Sequence, residues 1–274
     1  MRTALRFSRK HLGIPYALFL LVFVIFPLCL IVYYAFTDAN GRFTLGNFTD
    51  FFSRSSNLYV LLISFSLAVL TTAICLVIAY PVAYILSKSG AKKRSVYLLL
   101  FILPMWINFV LRTAAMKELL FALDKLGVYN VTDWYFANTV IGMVYDYLPF
   151  TILPIYTVLL KIDKSVTEAS SDLGANGVQT FLRTTLPLSM PGIVSAITMV
   201  LLPTTTSYVI SDTLGNSKVT IIGKLIENQF NIGTADSWHT GSAISLILLC
   251  FILGTMLLSG KFTENDNTRG GGLW

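Results

Sequence analysis

Six long apolar runs, near residues 14–36, 58–86, 96–116, 139–160, 190–212 and 240–260, limit this chain more than any other feature. A helix needs roughly 20 apolar residues to cross a ~30 Å hydrocarbon core. In lipid every backbone polar group must be satisfied internally, so continuous runs of this length read as spanning helices. The expected fold class is all-α: a polytopic membrane protein whose six transmembrane helices fill 14–260, between an N-terminal tail (1–13) and a C-terminal tail (261–274). Composition agrees, with 12% charged residues where a soluble domain carries about 25%. The first run is too long for a signal-peptide core, and no small-x-small cleavage pattern follows it. The tail KFTENDNTRGGGLW reads as short and unstructured. Pro104 in the third run, Pro149 and Pro154 in the fourth and Pro203 in the fifth predict kinked helices packed in a bundle.

Lys and Arg set the orientation. Arg2, Arg6, Arg9 and Lys10 precede the first run, and Lys88, Lys92, Lys93 and Arg94 fill the 87–95 loop. Lys161, Lys164 and Arg183 lie in the next loop on that side, and Lys261 and Arg269 in the tail. Basic residues gather on the cytoplasmic side of short loops, so both termini are expected in the cytoplasm of a multi-pass cell-membrane (plasma or inner membrane) protein. This also accounts for the net charge of +6 with the lipid bilayer as partner and no nucleic acid. Cys29, Cys75 and Cys250 lie inside apolar runs and read as small packing residues. His11 and His239 fall on opposite sides of this topology, and no metal site is expected.

The polar, Gly-punctuated loop 161–189 separates two strongly apolar runs. Ser165-Val166-Thr167-Glu168 predicts a capping box. Ile162, Val166, Ala169 and Leu173 then recur at helical spacing. Gly174 and Gly177 permit a turn, and a second amphipathic piece with Val178, Phe181 and Leu182 leads to Pro187. The expected object is a helix, a turn and a helix across the membrane mouth. Its exposed side either faces a partner or rests on the lipid surface.

The spacing in that loop is specific. Glu168-Ala169-Ser170, three residues, Gly174, nine residues, Thr184, one residue, Leu186-Pro187 resembles the cytoplasmic EAA loop of permease subunits of ABC importers. The departures are mild: Ser170 stands for the second Ala and Thr184 for an Ile. The segments LPMWINFVLRTAAMKELL (103–120), VYDYLPFTILPIY (144–156) and YVISDTLGNSKVTIIGKLIENQF (208–230) resemble the first of the two permeases of the spermidine/putrescine importer in that family. The resemblance implies that Glu168, Ala169, Asp172, Gly174, Leu186 and Pro187 form a loop docking in a groove on a separate ATPase subunit. It also implies a second, similar permease subunit, an external substrate-binding protein that meets the outer loops, and a polyamine substrate. The amphipathic piece Val219 to Phe230, with Ile222, Leu225, Ile226 and Gln229, is an outer-loop docking candidate or an interfacial helix. No G-x-x-x-x-G-K-[ST] occurs, so this chain is expected to bind no cofactor of its own, ATP and Mg being used by the partner ATPase. No H-E-x-x-H or G-x-S-x-G occurs either, and the chain is read as a transport subunit rather than an enzyme.

A path for polycations wants carboxylates and aromatic faces. An ionisable residue at membrane depth defaults to a functional role. Asp146, between Tyr145 and Tyr147, and Asp212, four residues after Tyr208, are the acidic candidates, with Trp106 as a further aromatic. Asp146 alternatively pairs with Arg112 of the third span, and Asp212 is alternatively a solvated helix end. A stand-alone secondary transporter or channel for an organic cation is the competing reading. It sits poorly with the loop motif and with the absence of an internal repeat.

Overall fold

The computed structural model describes residues 13–270, with side-chain surroundings for all of these except 235 and 258–270. The expected N-terminal tail, Arg2, Arg6, Arg9, Lys10 and His11 included, lies outside the described residues. Nearly everything described is helical, and no strand occurs among the described residues. The chain divides into two compact units, one drawing on Met1–Leu58 and Leu225–Phe251, the other on Tyr59–Lys224 and Ile252–Trp274.

In the first unit α1 (Gly13–Ala35) presents apolar side chains outward along its length, as a helix does when lipid is its solvent. A short helix α2 (Gly46–Ser53) follows. His239 is buried, and its Nδ1 lies 2.9 Å from the Tyr34 carbonyl oxygen. The Trp238 ring meets Tyr34 edge-on at 6.3 Å.

The second unit begins within α3 (Ser55–Lys88), which carries Pro81 internally. The third apolar run is not one helix. α4 (Ala91–Ile102) passes into a tight turn, Leu103–Trp106, and α5 (Phe109–Lys125) departs at 98°. Proline alone does not make this break. Ile107 is extended, and Asn108 caps α5 by accepting from the Val110 amide at 2.9 Å. That cap stabilises a new start better than a continued helix. α6 (Tyr135–Leu159) holds Pro149 and Pro154 within one unbroken helix.

The fifth run also differs from expectation. α7 (Lys164–Asp172) and α8 (Gly177–Leu188) form the preceding loop, and α9 (Met190–Thr206) leaves α8 at 61°. The bend falls at Ser189, while Pro203 sits inside α9. α9 stops at Ser207, whose backbone leaves the helical region (ψ 62°), and α10 (Tyr208–Leu214) continues beyond it. After α11 (Ile222–Ile232), α12 (Ala235–Gly270) closes the chain. The tail from 261 was expected to be unstructured, yet α12 runs to Gly270, because no proline or glycine interrupts Lys261 to Arg269. Four helices are long and apolar enough to cross a membrane, or up to six if each bent pair is one span.

α6 packs most extensively against α9. A Cβ at Gly192 would lie 3.0 Å from the Pro154 carbonyl oxygen, so the missing side chain sets how closely these helices approach. Small residues serve this purpose where lipid removes the hydrophobic drive between helices. Leu67, Leu120, Met143, Ile210 and Leu214 form one buried cluster, and Ala79, Ala83, Leu86, Ile152 and Ile155 another.

Candidate functional site

The 161–189 loop is built from local backbone chemistry. The α7 cap is Asp163, not Ser165 as the capping-box pattern predicted. Asp163 has the extended backbone a cap needs, and its carboxylate accepts from the Ser165 amide at 3.0 Å. A carboxylate is the stronger acceptor and suits a helix N-terminus. The backbone and hydroxyl hydrogen bonds from Ser165 hold the Asp163 carboxyl below its ordinary range. The capping box occurs one helix later, where Asn176 and Gln179 exchange bonds of 2.9 and 3.0 Å.

Gly174 ends α7 at φ +87°. The Gly174 amide donates to Ser171 and the Ala175 amide to Ser170, at 2.9 and 3.2 Å, the paired bonds of a left-handed helix stop. Gly177 needs no such freedom and simply begins α8. The two positions where the loop departs from the EAA pattern meet one another: Thr184 Oγ1 donates to Ser170 Oγ at 3.3 Å. A hydroxyl contact thus joins α7 to α8 where the pattern has apolar side chains.

One side of this element is bare. Leu173 is 90% and Val178 68% exposed, and Glu168, Ala169, Asp172, Gly174 and Pro187 are also exposed, with Leu186 half-buried. The other side is fastened to α3. The Phe181 ring sits edge-on to both Tyr80 and Tyr84, at 5.6 and 5.7 Å. Ser189 Oγ donates to the Leu186 carbonyl at 2.8 Å. The single Ser189 proton is then committed, so Tyr80 donates to Ser189 across 2.7 Å. Tyr80 and Tyr84 are four residues apart on one helix face, a spacing visible in the sequence whose partner Phe181 was not.

The proposed path residues form two groups. Asp146 is buried and paired with Arg112 at 2.8 Å, and Thr113 Oγ1 donates to its other oxygen at 3.1 Å. The Arg112 guanidinium also stands 5.7 Å from the centre of the Tyr145 ring. Asp212, half-buried, pairs with Lys224 at 2.8 Å, and Lys224 Nζ lies 5.4 Å from the centre of Tyr208. Asp212 is therefore not merely a solvated helix end, and both carboxylates have a protein cation beside them. Tyr147 packs toward Phe150 at 6.2 Å and lies beside the Arg112–Asp146 pair, whereas Trp106 stands 80% exposed.

Lys224 reaches Asp212 because the ISDTLGNSK stretch folds back on itself. Asn216 and Ser217 both take positive φ, 48° and 56°, and Ser211 Oγ donates to the Val219 carbonyl. Lys218 then lies 4.3 Å from the centre of the Tyr135 ring. The amphipathic piece expected from Val219 begins as a helix only at Ile222, whose amide donates to Ser64 Oγ at 2.7 Å. Val219 and Ile221 are buried in the core instead.

Asp212→Asn is expected to cost little stability, under about 1 kcal/mol for a pair this exposed, yet to reduce cation uptake several-fold at unchanged membrane abundance. Side-by-side uptake and immunoblot measurements check this; equal uptake would remove Asp212 from the path.

No family model matches the chain. Among solved structures, the chain superposes on a bacterial alginate ABC transporter, in complex with an alginate pentasaccharide-bound periplasmic protein, with a TM-score of 0.76 at 16% identity over 94% of each chain. A second structure of a bacterial ABC transporter importing alginate gives 0.74 over 93% of this chain and 95% of that one. The fold is therefore the helical one of these ABC-transporter chains. The spermidine/putrescine transport system permease protein PotB of Haemophilus influenzae is 36% identical over 245 residues, 83% of this chain and 84% of that protein. The PotB protein of Escherichia coli is 36% identical over 257 residues, 87% and 91%, and a PotB homolog of Mycoplasma pneumoniae 28% identical, 91% and 90%. The chain belongs to the PotB family of spermidine/putrescine transport permeases, and it is a multi-pass membrane transport subunit.

Proposed function

We propose that this chain forms half of the translocation path of an ATP-driven polyamine importer and takes its drive from a separate ATPase through residues 163–187. The observation that carries the reading is the α7–α8 element, bare at Leu173 and Val178 and fastened to α3 through Phe181. An ATPase groove covering the bare side would pull on α3 through the tyrosines. ATP and Mg belong to that ATPase. A second, similar permease supplies the other half of the path, and an external binding protein delivers substrate to the outer loops. Both termini lie in the cytoplasm.

The Asp212 group supports a polycationic substrate. Lys224 holds an ammonium between a carboxylate and the face of Tyr208. A substrate ammonium would find there the same two attractions, charge and ring face, by exchanging with Lys224. Substrate and nucleotide shift the inward–outward equilibrium only through unequal affinity for its two states.

The test is purification in a mild detergent with the co-purifying proteins weighed. A second permease, a nucleotide-binding subunit and spermidine-stimulated ATP hydrolysis are expected. Recovery of this chain alone, moving spermidine in vesicles without an ATPase, would overturn the coupling role and favour a self-contained transporter. Tags at either terminus are expected to resist protease added to spheroplasts; digestion there would invert the orientation.

A further inference from the structure

A cleft opens at the Lys- and Arg-rich end of the second unit, where α3, α4 and α7 converge. Its volume is about 210 Å³, many times the roughly 10–15 Å³ that one water needs. Ser87, Lys88, Arg94, Lys164, Thr167 and Thr185 supply its polar lining, and no carboxylate among the described residues lines it. None of Lys88, Arg94 and Lys164 forms an ion pair among the described residues. Lys88 Nζ stands 5.7 Å from the centre of the Tyr84 ring, its one charge contact among the described residues. Thr185 is 3% exposed, and its hydroxyl has no hydrogen-bond partner among the described residues. A buried hydroxyl without a partner is costly.

Basic residues collect in cytoplasmic loops for topological reasons alone. Topology does not turn three of them, two from the 87–95 loop and one from the 161–189 loop, onto one cleft beside a buried unsatisfied hydroxyl. The combination is what a tetrahedral oxyanion requires. Arg supplies a fork of donors, Lys compact charge, and Ser and Thr neutral donors.

We propose that this cleft binds a phosphate group, held by Arg94, Lys88 and Lys164 with the Thr185 hydroxyl donating to it. Such a group ties α7, the first helix of the 161–189 element, to the end of α3 and the start of α4. The source is either a soluble phosphate or the head group of an anionic lipid at the membrane surface; the recognising chemistry is the same. This inference stands apart from the polyamine and ATPase readings, since its test involves neither.

The test follows the thermal unfolding midpoint of the full-length protein, purified in a zwitterionic detergent. Sodium phosphate is titrated against sodium chloride at equal ionic strength, and short-chain phosphatidylglycerol against phosphatidylcholine. A saturable rise with phosphate, with phosphatidylglycerol or with both is expected. Phosphatidylglycerol alone would identify the lipid as the source, and phosphate alone a soluble anion. Arg94→Gln with Lys164→Gln is expected to weaken the midpoint response at least about tenfold, the loss of one charge-assisted hydrogen bond being worth about that factor. Thr185→Val keeps the shape and removes only the hydroxyl. It is expected to leave the ligand-free midpoint unchanged or raised while weakening the response. A response no larger than that of chloride and phosphatidylcholine, or one that survives Thr185→Val at unchanged concentration, would overturn the site.

Discussion

Gly174→Glu is expected to abolish substrate-driven uptake while the chain still reaches the membrane. The reason lies in the backbone. Gly174 holds φ +87°, a region costing an L-residue roughly 1–2 kcal/mol. Open space surrounds the position where a side chain would start, so the chain can absorb the change without unfolding. What suffers is the surface. The turn sits beside the fully bare Leu173, and a charged side chain there would meet any close-fitting partner. Uptake should fall to background and spermidine-stimulated ATP hydrolysis should lose its dependence on substrate, with abundance within about twofold of the parent. Gly174→Ala separates the two causes: it carries the strain without the bulk or charge, and should retain most uptake. Equal loss in both variants would locate the effect in the backbone, and normal uptake in Gly174→Glu would end the docking reading of this turn.

Arg112→Ala should have the larger effect on the protein itself. It leaves Asp146, 2% exposed, without its cation in a low-dielectric interior. Breaking one side of a buried pair costs about 3–5 kcal/mol, a large share of the 5–15 kcal/mol by which folded proteins are held. The expected result is loss of monodisperse protein after detergent extraction. Replacing both partners with apolar residues of similar size, Arg112→Met with Asp146→Leu, should restore the yield, because a buried pair contributes little net stability over good packing. The double variant then decides the role of the pair. Uptake restored along with folding makes it structural, whereas a folded, assembled and inactive double variant places it on the path. A normal yield from Arg112→Ala would show that the charge at Asp146 is compensated elsewhere.

The positions and failures of the sequence reading have physical causes. A long apolar run leaves few alternatives to a helix, so α3 and α6 were legible to within a few residues. Hydropathy averages over a window, and the break at Ile107–Asn108 vanished inside the third run although Asn108 is an ordinary helix-start residue. Prolines do not by themselves locate the breaks, since Pro149 and Pro154 stay within one continuous α6 while the chain bends at Ser189, between Pro187 and Pro191. The EAA spacing was legible because helix, turn and helix each leave a local mark. Local marks compete, however, and Asp163 prevailed over Ser165 as cap. The Arg112–Asp146 pair was visible as an alternative, because few ionisable residues lie within the runs. The Lys224–Asp212 pair was not, since it depends on two consecutive left-handed residues, Asn216 and Ser217, that reverse the chain.

The bare side of the α7–α8 element also bears on how such a complex is made. If an ATPase covers Leu173 and Val178, a chain synthesised in excess of that ATPase carries both residues uncovered into the cytosol, on a loop anchored at the membrane surface. Exposed apolar tips of this kind are what chaperones and membrane proteases grip. The subunit ratio in the cell would then be set by destruction of the orphan as much as by translation, and the half-life of this chain should shorten when its ATPase is deleted.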